Sequence, residues 1–393
     1  MCHGIHPTVF VVGVVSKAAA PPPGDGGGAP RVPGICAGKR TIARYLVDHH
    51  GFTQLSLSTR SKNGANDGID GIAFSTNSSL SDPDRPPNPQ HTFSAPSDLL
   101  DFVTKHWRGR WVTTDIHTEA VLDLYARRPF FLLLSVDAPL TVRWQRYQAR
   151  QQQQQQHLLT TATTTTEADP STPTPQPVTL ESFVALSDAH LYDAAQGANT
   201  LLSRAAVRLL NTSQSLAHLY ATLGKLDLLD GDRLRPSWDA YFMSLASLAA
   251  QRSNCMKRRV GCVVVRDKRV ISTGYNGTPR GLRNCGEGGC ARCNAGEGGS
   301  GHGLATCLCI HAEENALLEA GRERLRDGAV LYCDTCPCLT CSIKIVQVGV
   351  GEVVYNQGYS MDGETAAVFR EAGVRLRQFV PPANGLIHLE RLE

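Results

Sequence analysis

HAEENALLEAG, His311–Gly321, and PCLTC, Pro337–Cys341, are the two strings whose reading decides the fold. Each opens a helix pattern, and Ala329–Tyr332 between them is an apolar strand pattern, so the pair sits in strand–helix units. Zinc accepts neutral imidazole and thiolate in tetrahedral geometry. His311, Cys338 and Cys341 offer three such ligands and leave a fourth position for water. The Cys-x-x-Cys spacing puts both sulfurs on one helical turn, and a helix start favours thiolate over thiol. Glu313 lies two residues after His311, too close for a comfortable fourth ligand but well placed to move protons. A lone Cys-x-x-Cys reads as a structural half-site or redox pair, and a lone His-Ala-Glu as a helix start. Together they read as a hydrolytic metal centre.

Working outward, RPSWDAYFMSLASLAAQRS from Arg235 has helical periodicity, and GCVVVRDKRVISTGY reads as a hairpin turning at Arg266–Lys268. A Gly/Cys-rich loop spans about 276–305. Beyond the two strings come a strand at Glu352–Tyr355, a helix at Thr365–Ala372 and a strand near Val374–Phe379. The expectation for residues 235–382 is a three-layer α/β/α domain with a mixed sheet.

Residues 1–223 read as a second α/β domain. Val9–Val15 and Phe130–Val136 are buried-strand runs, and helix patterns alternate with them, which is the signature of parallel strands. Three stretches are too polar or too rich in Pro and Gly for a core: about 17–33, 60–96 and 150–178, the last with six consecutive glutamines. These are expected to be disordered insertions or solvated loops.

The 393 residues carry a net charge of only +3. That argues against a dominant nucleic-acid-binding role, which needs a strongly basic surface, yet a single nucleotide needs only one or two cations. Most of the thirteen cysteines fall between Cys255 and Cys341. Clustered Cys with His in a large chain points to metal rather than disulfides. No apolar run approaches a membrane span and the N-terminus lacks a signal-peptide pattern, so a reducing cytoplasmic or nuclear location is expected.

RSNCMKRRVGCVVV, STGYNGTPRGLRNC, CLCIHAEENALLEAG, LYCDTCPCLTCSIKIVQVGV and EVVYNQGYSMD together resemble the zinc-dependent deoxycytidylate deaminases, especially their fungal two-domain form. The resemblance covers about 235–379. It implies hydrolysis of dCMP to dUMP and ammonia, supplying dUMP for dTTP synthesis, with zinc-activated hydroxide attacking C4 of cytosine and Glu313 shuttling protons. It also implies a homo-oligomer, commonly a hexamer, regulated by dCTP and dTTP. Asn276, Arg280, Tyr355 and Tyr359 are the substrate-binding candidates, with Arg258 a looser phosphate candidate. A second, structural zinc is implied on Cys255 and Cys285, completed by Cys309 and one of Cys290, Cys293, Cys307 or His302, with Cys293 the choice. The alternatives are a deaminase acting on another cytosine or adenine substrate, such as a nucleoside or tRNA base, and a non-catalytic nucleotide-sensing zinc protein.

GICAGKRT resembles the phosphate loop of small-molecule kinases, with Gly34, Gly38, Lys39 and Thr41 as its candidates. It departs from that pattern. Pro33 stands where the first loop glycine belongs, Arg40 replaces the magnesium-binding hydroxyl, and Thr41 comes one residue late. A degenerate nucleotide-binding domain is therefore expected rather than an active kinase.

Overall fold

The β-branched run near the start of the chain becomes β1 (Val11–Ser16), with Val12 and Val14 fully buried. The computed structural model describes residues 11–16, 36–58, 91–162, 178–193, 197–213, 215–296, 303–325, 328–358, 362–382 and 385–389. It divides into two units, Met1–Leu234 with Ala383–Glu393, and Arg235–Pro382. The expected insertion at 17–33, Gly34, His302 and Tyr359 lie outside the described residues.

In the first unit β1 is followed by α1 (Lys39–His50), β2 (Thr53–Leu57), β3 (His91–Phe93), α2 (Pro96–Lys105), β4 (Trp111–Thr113), α3 (Glu119–Ala126) and β5 (Phe131–Asp137). Then come α4 (Leu140–Ala162), α5 (Leu180–Tyr192), α6 (Asn199–Ser203), β6 (Val207–Leu210) and α7 (Leu216–Leu226). β5, FLLLSVD, shows why its sequence lacks a polar alternation. Leu132, Leu134 and Val136 enter one core with α1 and α7, while Leu133 enters a second core with α2 and α3. A parallel strand covered on both faces needs no polar alternation.

Two low-complexity expectations need correction. His91–Phe93, inside the stretch read as an insertion, is β3, paired in parallel with β2. The glutamine run is helical, because α4 continues through Gln151–Gln156 to Ala162. Glutamine is a good helix former, and a helix already nucleated extends easily.

The second unit starts with α8 (Trp238–Ala250), then β7 (Gly261–Arg266) and β8 (Arg269–Tyr275). Asp267 and Lys268 between these strands both have positive φ, 51° and 60°. Two left-handed residues form the tight turn whose twist suits a hairpin. There follow α9 (Ala291–Asn294), α10 (Ala312–Ala320), α11 (Arg322–Leu325), β9 (Val330–Thr335), α12 (Leu339–Gln347), β10 (Glu352–Gln357), α13 (Asp362–Glu371) and β11 (Arg375–Gln378). The sheet order is β11-β10-β9-β7-β8, with β9, β10 and β11 parallel and β7 antiparallel to both neighbours. Along β7, Cys262 and Val264 face the core of α10 and α12, and Val263 and Val265 face that of α8. The period of two thus builds three layers, α/β/α, with a mixed sheet.

The chain ends its described course in β12 (Gly385–His388), which pairs in parallel with β6 in the first unit. That unit's sheet has the order β12-β6-β5-β1-β4-β2-β3, all pairs parallel. No helix among the described residues is long and apolar enough to cross a membrane.

Candidate active site

Two helix N-termini create the centre. His311 occupies the N-cap of α10, and Cys338 the N-cap of α12, with Cys341 in that helix's first turn. The Thr365 hydroxyl donates to the Pro337 carbonyl at 2.9 Å and fixes the turn before Cys338. α10 is tied to β8 by Ser272 Oγ donating to Ala316 O (2.8 Å) and Asn315 Nδ2 donating to Tyr275 O (2.9 Å).

His311 Nδ1 lies 3.3 Å from the sulfurs of both Cys338 and Cys341. A tetrahedral zinc with N and S ligands at about 2.0 and 2.3 Å spaces them by about 3.5 Å, so the trio matches a metal's ligand shell. Its protonation fits too. The hydrogen bond with Cys341 holds the Cys338 thiol down to about 3, while Cys341 is pushed up by the same contact. The pair shares one proton that a cation displaces. The Cys338 sulfur also holds the His311 imidazole above its ordinary range.

Glu313 is only 4% exposed. Burial pushes its carboxyl up to about 7. A carboxyl poised there both accepts and donates a proton near neutrality.

A cavity of about 530 Å³ opens over the centre, walled by His311, Glu313 and Cys338. Lys257, Arg258 and Arg292 line the same cavity. Lys257 and Arg292 escaped the sequence reading, although both sit beside cysteines in NCMKRR and GCARCN, the one signal that marks them. Asn276 is on the wall, but its amide is largely engaged. Oδ1 accepts from Ser253 Oγ (2.7 Å) and Val260 N (2.8 Å), and Nδ2 donates to Arg258 O (2.8 Å). Arg280 is exposed and Tyr355 half-buried, and neither lines the cavity.

Six more cysteines gather beside it: Cys255, Cys285, Cys290, Cys293, Cys307 and Cys309. The set expected for a second metal, Cys255, Cys285, Cys293 and Cys309, has its four sulfurs within 4.8 Å of one another.

In the first unit, α1 begins at Lys39 directly after Gly38, whose φ of 106° excludes most side chains. Lys39 Nζ donates to Thr114 O at 3.0 Å. Arg146 Nη1 donates to Cys36 O (3.2 Å) and Nη2 to Ser213 O (2.8 Å), bracing this turn. Thr41 follows in the first turn of α1.

Residues 236–357 match the family profile described as the cytidine and deoxycytidylate deaminase zinc-binding region. The chain is 44% identical over 353 residues to a deoxycytidylate deaminase of Schizosaccharomyces pombe, covering 90% of this chain and 97% of that one. It is 45% identical over 295 residues to one of Saccharomyces cerevisiae, covering 72% and 86%. A deoxycytidylate deaminase of Mycobacterium phage D29 is 47% identical over 125 residues, which are 31% of this chain and 95% of the phage protein. With its His–Cys–Cys centre and a relative matched over nearly its whole length, this chain belongs to the zinc-dependent cytidine and deoxycytidylate deaminase family.

Proposed function

We propose that the chain hydrolyses dCMP to dUMP and ammonia, and that His311, Cys338 and Cys341 hold the catalytic zinc. The observation that carries this reading is one cavity joining three things: a three-ligand set, a buried carboxyl, and a group of cations. Zinc bound there supplies an acidified water as nucleophile near neutral pH. Glu313 takes the proton released as the C4–O bond forms. It delivers that proton to the ring nitrogen beside C4. It then takes the second proton of the former water from the new C4 hydroxyl and passes it to the amino group, so that ammonia leaves as the C4–N bond breaks and the C4=O bond forms. Lys257, Arg258 and Arg292 suit the 5′-phosphate, a role that Arg280 and Tyr355 are less well placed to fill. Asn276 acts chiefly by shaping the 253–260 turn that carries two of these cations.

Ammonia release from dCMP, CMP, deoxycytidine and cytosine tests the assignment. The highest kcat/KM is expected for dCMP. Arg292→Ala should raise KM for dCMP and leave turnover of deoxycytidine unchanged. Equal turnover of all four would point to another pyrimidine substrate.

Three further readings belong with this one. The Cys255, Cys285, Cys293 and Cys309 set holds a structural zinc. The protein forms a homo-oligomer, a hexamer by family resemblance, activated by dCTP and inhibited by dTTP. Light scattering checks the assembly, and ammonia release with and without each nucleotide checks the regulation. Residues 1–223 form a degenerate, kinase-like nucleotide-binding domain, supported by the parallel sheet and by Gly38–Lys39 at the start of α1. ATP-dependent phosphorylation of a nucleotide by the full chain would overturn its reading as degenerate.

A further inference from the structure

Residues 276–310 form a long connection whose described part holds no sheet strand, only one four-residue helix and two short 3₁₀ turns. Connections of this length in compact domains need something of their own to hold them. The usual answer is a cluster of Leu, Ile or Phe. Here the core of the loop consists of cysteines alone: Cys285, Cys290, Cys293 and Cys309, with Cys255 and Cys307 packed against them. Cys285 and Cys290 are 0% exposed.

The six sulfurs fall into two overlapping tetrads. One is Cys255, Cys285, Cys293 and Cys309; the other is Cys290, Cys293, Cys307 and Cys309. In each, the four sulfurs lie within 4.8 Å of one another. Sulfurs held about 2.3 Å from a common tetrahedral centre are spaced by about 3.8 Å. Within the first tetrad, Cys255–Cys293 is 3.7 Å and Cys293–Cys309 is 3.9 Å. Within the second, Cys290–Cys307 is 3.9 Å and Cys293–Cys307 is 3.6 Å.

From this geometry we infer a binuclear thiolate cluster: two zinc-like ions, each in a four-sulfur shell, sharing Cys293 and Cys309 as bridges. The inference builds on the reading of this loop as a structural metal site and doubles its occupancy. A single ion in either tetrad leaves two cysteines of the other without a metal, although they point into the same cluster.

Backbone hydrogen bonds fall on three of the four sulfurs that would each hold one metal. Met256 N donates to Cys285 Sγ (3.4 Å), and Leu308 N to Cys290 Sγ (3.4 Å). Arg292 Nη1 donates to Cys307 Sγ (3.8 Å), and the backbone of Lys257 and Arg258 serves Cys255. These are the four terminal positions, where a thiolate with one metal keeps lone pairs for N–H donors. Among the described residues, no backbone N–H donates to Cys293 or Cys309, the two sulfurs whose lone pairs a pair of metals uses, although the Arg292 side chain also reaches Cys293. Six thiolates and two divalent ions leave a charge of −2, and Lys257, Arg258 and Arg292 are the cations beside it. The cluster thus holds the Arg292 side chain and the 257–258 backbone, both of which border the cavity, and Cys309 stands two residues before His311.

Native mass spectrometry of the zinc-loaded full chain, kept reduced, counts the ions. One catalytic ion plus two in the cluster predicts three per chain. Cys290→Ser and Cys307→Ser should each lower the count to two. Two per chain in the unsubstituted protein would overturn the binuclear cluster and leave a single structural zinc. One per chain would overturn both. If the serine variants do not fold, ¹¹³Cd-loaded unsubstituted protein still decides. Two thiolate-type resonances coupled to each other are expected, because only ions sharing a sulfur couple through it. Uncoupled resonances would refute the bridges.

Discussion

Gly274 of β8 lies directly beneath Ala312 of α10, so close that a Cβ built on it would collide with the Ala312 carbonyl oxygen. The same absent Cβ would also press on the Ala316 amide nitrogen. α10 carries His311 at its N-cap and Glu313 in its first turn, so this contact sets the height of both above the sheet.

Gly274→Ala should push α10 outward. Overpacking against backbone costs about 1–3 kcal/mol, and the neighbours here are main-chain atoms with little room to yield. A lower thermal midpoint for the second unit is expected, together with a fall in kcat, because small displacements of reacting groups cost disproportionately. Unchanged stability by calorimetry would contradict this account of the packing.

Glu313→Gln keeps the shape of the side chain and removes its proton transfer. The variant should bind catalytic zinc as before while kcat falls by about 10²–10⁴. His311→Ala should lose one zinc and all deamination together. Metal content and ammonia release, measured on both variants, separate the proton carrier from the ligand.

Asn276→Ala removes a buried hub rather than a surface contact. Val260 N and Arg258 O lose these partners, and Ser253 Oγ keeps the Asn276 carbonyl and the Cys255 amide. Leaving such groups unpaired costs about 1–3 kcal/mol each. Loss of stability should therefore accompany any rise in KM. A KM effect with no change in the unfolding midpoint would instead mark Asn276 as a direct substrate contact.

Lys39 provides a pH test in the first unit. Burial pushes its ammonium from 10.5 down to about 8, opposed by the pull of Asp115. Between these values the unfolded chain holds a proton that the folded chain does not, so stability rises with pH across that window. Below pH 8 the cost of the buried charge is present in full. Lys39→Met should thus stabilise α1 at pH 7, read by hydrogen exchange, and the advantage should fade from pH 8 to 10.5. Phosphate or ATP bound beside Lys39 would cancel the advantage by favouring the charged form.

Much of this was legible in the residues because the signals are local. The His–x–Glu and Pro–Cys–x–x–Cys strings name their own chemistry, and the unbroken apolar run in GCVVVR marks a strand covered on both faces. What escaped depends on partners distant in the chain. β12 is only four residues, GLIH, and becomes a strand because β6 waits for it more than 170 positions earlier. β3 is concealed by polar flanks and exists by pairing with β2. The glutamine run reads as a solvated loop because composition does not reveal that the helix begun at Leu140 continues through it. For Asn276, a substrate-binding candidate that stands on the cavity wall, sequence alone does not show that Ser253, Val260 and Arg258 engage most of its amide.

The pairing of β12 with β6 also bears on the order in which the protein is made. A chain leaving the ribosome presents β6, then every element of the deaminase unit, and only afterwards the strand that borders β6. The deaminase unit has all its sheet strands before β12 emerges, so it can fold while the first unit still has an open edge. Domains commonly fold from the N-terminus during synthesis, and here the connectivity reverses that schedule. The earlier-made unit is the later one to be completed, and until β12 arrives that side of β6 is an unpaired strand edge.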